Sequence, residues 1–163
     1  MVLKKIRFKK MHHSKKGFSL VEVLLVTGII VATLGGLIQL FIYCSLLSEL
    51  SGNLTIVLSE AQGKLEEIRS HNYGLIVTDY SSGGTPGNTF DLTQVTGKGM
   101  IYIDSTNPDL LKVEIMASWK NKKSGRIVGE DSNLNGAIDA GEDLNSNGKL
   151  DSMATLVSWI ARR

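Results

Sequence analysis

Apolar residues are spread unevenly along the chain. From Val23 to Ser48 no position is charged, a run longer than the roughly 20 residues, at about 1.5 Å each, that cover the hydrocarbon core of a bilayer. Beyond it the pattern becomes periodic. Leu47, Leu50, Leu54, Leu58, Ala61, Leu65 and Ile68 recur every three or four positions, while Glu49, Glu60, Glu66, Glu67 and Arg69 fall largely on other faces. The spacing predicts one helix from about Ser19 to Ser70, roughly 75–80 Å long. Its residues 22–46 are suited to lipid and the rest to packing on a domain. Gly28, Gly35, Gly36, Gly52 and Gly63 weaken it locally.

After His71–Tyr73 the helical period ends, and Ser81–Asn88 (SSGGTPGN) reads as a loop. Strands are expected at Phe90–Val95, Met100–Ile103 and Leu110–Lys120. In the last, Leu111, Val113, Ile115, Ala117 and Trp119 alternate with Lys112, Glu114, Ser118 and Lys120. Asn121–Gly125 is a turn into a short strand at Arg126–Val128, and Met153–Ala161 is a final strand. A small antiparallel sheet packed on the helix stripe buries both apolar faces, which defines an α+β domain. The organisation is then a leader at 1–17, a long helix at 18–70, and a β-rich domain at 71–163 with an insert at 129–152.

Charge divides the chain in a way its net of +2 conceals. Residues 1–17 carry seven bases (Lys4, Lys5, Arg7, Lys9, Lys10, Lys15, Lys16) and no acid. The remainder has 11 bases against 16 acids. The basic leader places the N-terminus in the cytoplasm and the C-terminal domain outside it, by the positive-inside rule. The acidic remainder argues against a nucleic-acid binder. Lys120, Lys122, Lys123 and Arg126 beside Trp119 are read as a solvated turn, not a DNA contact. Cys44 is the only cysteine, so there is no internal disulfide, and it is taken as a small apolar filler. His12, His13 and His71 are read as solvent-exposed. No nucleophile–base set is visible, so an enzyme is not expected.

Within Lys15–Val26, KKGFSLVEVLLV, a glutamate stands five residues into the apolar run that follows Gly17. A carboxylate at a membrane edge is costly and points to a use. The segment resembles the N-terminus of type IV prepilins and type II secretion pseudopilins, and Ala61–Ser70 (AQGKLEEIRS) is similar to the end of the long helix in their minor members. The resemblance implies a pilin-like fold: a long helix packed on a small antiparallel sheet. It implies cleavage by prepilin peptidase between Gly17 and Phe18, methylation of Phe18, and a role for Glu22 in assembly. The implied partners are other pilin or pseudopilin subunits, the peptidase, an inner-membrane assembly platform and the lipid bilayer. Many relatives carry a proline within the first helix. Here the prolines are Pro86 and Pro108, and Gly35–Gly36 is the nearest weak point. The alternatives are a membrane-anchored calcium-binding module that never polymerises and a competence pseudopilin for DNA uptake.

Glu130–Asp151 is a tandem repeat of period twelve. Asp131, Asn133, Asn135, Gly136, Ile138 and Asp139 align with Asp143, Asn145, Asn147, Gly148, Leu150 and Asp151. The first copy fits the calcium-loop template D-x-[DN]-x-[DN]-G-x5-E. Its ligands are Asp131, Asn133 and Asn135 by side chain, Ala137 by carbonyl, Asp139 directly or through water, and Glu142 with two oxygens. The second copy offers Asp143, Asn145, Asn147 and Asp151 but ends in Ala154, so it is a partial site to be completed from elsewhere. Six acids against Lys149 alone make the insert self-repelling without a cation. Structural calcium is the expected cofactor. Consecutive loops without flanking helices resemble the repeats of thrombospondin type 3 and dockerin-like proteins.

Overall fold

The computed structural model describes residues 17–162, so the basic leader lies outside the described residues except for Gly17. The chain divides into two compact units that meet between Ile42 and Tyr43. Helix α1 runs Leu20–Ser70 and contributes to both. In the first unit its side chains are exposed, Phe41 among the most exposed. It is long and apolar enough to cross a membrane, and the apolar window is wholly exposed.

The second unit is α+β. A short helix α2 (Tyr73–Asp79) follows α1, then β1 (Thr89–Asp91), β2 (Gly97–Asn107), β3 (Leu110–Lys120), β4 (Ile127–Val128) and β5 (Ala154–Ala161). All pairings are antiparallel, in the order β1-β2-β3. The far edge of β3 is shared: β4 pairs at Trp119 and Lys120, and β5 pairs from Ala117 back to Leu110. Between them, Gly129 passes so close over Ser118 that a Cβ would collide with its hydroxyl.

Alternation along β3 produces two layers. Leu111, Val113 and Ile115 face Ala61, Leu65 and Ile68 of α1 and Ile76 and Tyr80 at α2. Ala117 and Trp119 continue that face over Val57, Leu92, Val95 and Ala154. The opposite face carries Met100 and Met116, and Leu150 from the acidic insert covers them. The buried stripe of α1 is therefore Val57, Ala61, Leu65 and Ile68. Leu47, expected in the stripe, is exposed, and Val57 was not expected.

Polar side chains of α1 fix its docking. Glu49 accepts from the Lys123 backbone N–H, Glu60 from the N–H groups of Thr93 and Gln94, and Arg69 donates to Ser158 Oγ. Both glutamates lie off the stripe, yet each holds a sheet loop. Three further expectations are corrected. Helical structure does not end at His71–Tyr73: a second helix, α2, follows, with Asn72 capping it by accepting from Gly74 N, and the expected loop at Ser81–Asn88 comes after it. The strand expected over Phe90–Val95 stops at Asp91, because Leu92 and Val95 turn into the core while Glu60 ties Thr93 and Gln94. His71 is half-buried, with Nε2 2.7 Å from Asp79 Oδ2 and its ring edge-on to Tyr80, so it is not a free surface residue.

On the outer face, buried Glu114 bonds to both Lys112 and Lys149, and these two ammonium groups hold its carboxyl below the usual glutamate range. A lowered folded-state pKa stabilises the fold above the unfolded value, near 4.3, and the contribution disappears as pH falls through the folded value. Melting temperature measured between about pH 6 and pH 3 is expected to fall less steeply for Glu114→Gln than for the unaltered chain. Equal slopes would remove Glu114 from the acid response.

Candidate metal centre

The acidic insert leaves the sheet after β4 and returns at β5. Its two copies adopt the same backbone. Leu134 and Ser146, the fourth positions, have φ of 59° and 56°; Gly136 and Gly148, the sixth, have 75° and 76°. Glycine suits the sixth position because its missing Cβ permits that turn. At Gly136 a Cβ would also stand 2.9 Å from Thr89 Cγ2, so the first loop lies close against β1.

The hydrogen bonds repeat as well. Asp131 accepts from Asn135 N and Gly136 N at 3.1 and 2.8 Å; Asp143 accepts from Asn147 N and Gly148 N at 3.0 and 2.8 Å. The amides of Asn133 and Asn135 converge on Asp139 Oδ2 at 2.7 and 2.8 Å. Those of Asn145 and Asn147 converge on Asp151 Oδ2 at 2.6 and 2.8 Å. The two ends of a carboxamide are nearly isosteric. Asn133 Oδ1 and Asn135 Oδ1 accept from Asn135 N and Ala137 N, so a cation here would require both amides to turn over, releasing those bonds and offering their oxygens beside Asp139 Oδ2. That donor set suits a hard cation such as Ca²⁺.

The first loop is closed by Glu142, whose Oε1 accepts from Ser132 N and Oγ and whose Oε2 accepts from Asp139 N. The Ser132 hydroxyl chiefly holds this carboxyl below the ordinary range, so it is ionised at neutral pH. Asp131 is fully buried and Glu142 is 5% exposed. None of the salt bridges among the described residues involves either of them. The structure thus brings Asp131, Asn133, Asn135, Asp139 and Glu142 into one loop. Ala137 follows them with its N–H bonded to Asn135 Oδ1. Ser132 was missed as a partner of Glu142; nothing in the template marks the second position.

The second loop is seated more deeply on the sheet. Leu150, its eighth position, is fully buried, whereas Ile138 in the first copy is exposed. Leu150 N donates to Tyr102 Oη at 2.9 Å. Ala154, its twelfth position, is fully buried and faces Ala117 across the sheet. Asp151 N donates to Glu130 Oε2 at 2.9 Å.

At the other end of the chain, Gly17 and Phe18 precede α1, and Glu22 is the acid of its first turn. Cys44 is exposed. In the basic turn, Lys123 Nζ bonds to Ser45 Oγ, so one of its cations is tied to α1. Among the described residues, no group of three or more His, Cys, Asp or Glu side chains is close enough to hold a metal, so any site here depends on the asparagines. Comparison with protein-family models, with curated proteins and with solved structures finds no match.

Proposed function

We propose that the chain is a minor pilin or pseudopilin, a filament subunit of the type IV pilus and type II secretion class, processed after Gly17 and stabilised by structural calcium. The observation that carries this reading is the segment Lys15–Val26. A basic pair, Gly17 and Phe18 precede a helix with Glu22 in its first turn and an exposed apolar surface behind it. That surface requires lipid before assembly and neighbouring helices after it. Cleavage would give Phe18 an α-amine with a pKa near 8, a cation at the membrane edge. Glu22 of a neighbouring subunit is its partner in the filament. In low dielectric such a pair offsets a large desolvation cost, so it sets register more than stability.

The calcium loops support the same reading as the stabilising device of a domain with no disulfide. The test is mass spectrometry of the N-terminal peptide in sheared surface filaments and in washed membranes. A chain beginning at methylated Phe18 is expected. In the sheared fraction it identifies a pilus component; confined to membranes, a secretion pseudopilin. An intact leader would overturn the filament reading and leave a membrane-anchored calcium module.

A further inference from the structure

We infer that the basic turn at Asn121–Gly125, with Lys120 and Arg126 on its flanks, docks on anionic phospholipid headgroups and holds the β-rich domain to the membrane before assembly; this rests on the reading that α1 spans the bilayer. The turn is bonded to α1 at three points. Asn121 Oδ1 accepts from Asn53 Nδ2 at 2.9 Å, Lys123 N donates to Glu49 Oε1 at 3.0 Å, and Lys123 Nζ donates to Ser45 Oγ at 2.8 Å. Residues 45, 49 and 53 are spaced by four and form one row along the helix, about 6 Å apart at 1.5 Å rise per residue. The turn therefore follows α1 back towards its N-terminus for about two helical turns and reaches Ser45.

The position of Ser45 in the sequence fixes its depth. Roughly 20 residues cover the hydrocarbon core. Counted from Val23, the first residue after Glu22, they reach Ile42. The uncharged run continues to Ser48, so Tyr43–Ser48 falls at headgroup level. Tyr43 is exposed there, an amphipathic ring of the kind enriched at membrane–water interfaces. The ammonium of Lys123, bonded at Ser45, stands in the same layer as the lipid phosphates.

Lys120, Lys122, Lys123 and Arg126 are all exposed. Glu49, an acid bonded to the turn, accepts from a backbone N–H and not from an ammonium. Elsewhere such a turn would be merely solvated. Here its cations lie within a Debye length of the headgroups, about 8 Å at physiological ionic strength, where anionic lipid attracts each Lys or Arg. The phosphates of DNA share this chemistry, but the membrane is the polyanion that the depth of Ser45 brings to the turn.

Fluorescence quenching in the full chain tests this. A chain carrying Cys44→Ser and Ser124→Cys is labelled with a fluorophore at position 124. It is reconstituted into vesicles of phosphatidylcholine, alone or with phosphatidylglycerol, that contain a headgroup-linked quencher. Quenching is expected to be at least about twofold stronger with phosphatidylglycerol. It is expected to fall back in about 1 M salt, where the Debye length is about 3 Å, and when Lys122→Gln and Arg126→Gln are added. A label placed instead through Ser105→Cys, at the other end of the β2–β3 pair, is expected to respond to none of these changes. Equal quenching in the two lipids, in a chain that stays with the vesicles through alkaline washing, overturns the proposal and leaves the spanning helix in place. Loss of the chain on alkaline washing overturns the spanning reading and the proposal with it. A label indifferent to anionic lipid but responsive to duplex DNA overturns the proposal and makes the turn a nucleic-acid contact.

Discussion

In calcium, a chain carrying Asp131→Asn and Glu142→Gln is expected to melt well below the unaltered chain; in chelator the difference should be much smaller. An ion present at a hundredfold its dissociation constant stabilises a fold by about 2.7 kcal/mol, which is on the order of 10 °C for a domain of this size. Both substitutions keep the side-chain volume, so little packing is lost. Without calcium the two buried carboxylates have no basic partner among the described salt bridges, and both substitutions keep an acceptor oxygen for the loop N–H groups, so the calcium-dependent part of the loss is absent. The measurement is a pair of thermal melts, with calcium and with chelator. An equal loss in both conditions would mean that these residues act only through the loop's own hydrogen bonds.

The second large effect is expected at Trp119. Its side chain is fully buried, packed from β3 with Val57 of α1 and with Leu92, Val95 and Ala154. Its indole Nε1 donates to Asn121 Oδ1 at 3.1 Å, and that oxygen also accepts from Asn53 Nδ2 at 2.9 Å. Trp119→Ala is expected to cost about 3–5 kcal/mol, enough to unfold a domain of marginal stability at physiological temperature. Trp119→Phe keeps most of the apolar volume and loses the hydrogen bond, so a smaller loss, on the order of 1–2 kcal/mol, is expected. Chemical denaturation of the two variants separates packing from hydrogen bonding. Equal losses would mean that the bond to Asn121 dominates.

The layered core was legible in the sequence because its signal is periodic. From Leu111 to Trp119 every second residue is apolar, with Met116 the one apolar side chain on the other face, and the face they form is the one packed on α1. The repeated turns of the insert were legible for a related reason: the template fixes glycine at the sixth position of each copy, where both glycines take a positive φ. What the sequence concealed was non-periodic. Helix α2 is seven residues long, too short for a period to show, and its best mark was Asn72 as a cap. Glu60 gave no sign of its use, because a glutamate on a helix flank looks solvated until a loop turns out to end there. Glu130 stood one residue before the template, so its hold on the Asp151 N–H gave no sign in the spacing. Val57 took the place assigned to Leu47 because the packing of α1 on the sheet begins further along the helix than its apolar pattern does.

The shared edge of β3 has a consequence for how the chain was built. Trp119 faces Val128, so in an uninterrupted strand Ala117 would face residue 130; it faces Ala154, 24 residues later. That excess equals two periods of the repeat. It is also even, so the alternation of sides on either flank of the insert is undisturbed. The acidic segment therefore behaves as a cassette spliced into one edge strand. Excising 24 residues would leave a plain hairpin in its original register. Duplication of a twelve-residue unit is a change that such a strand can absorb without re-facing any of its core side chains.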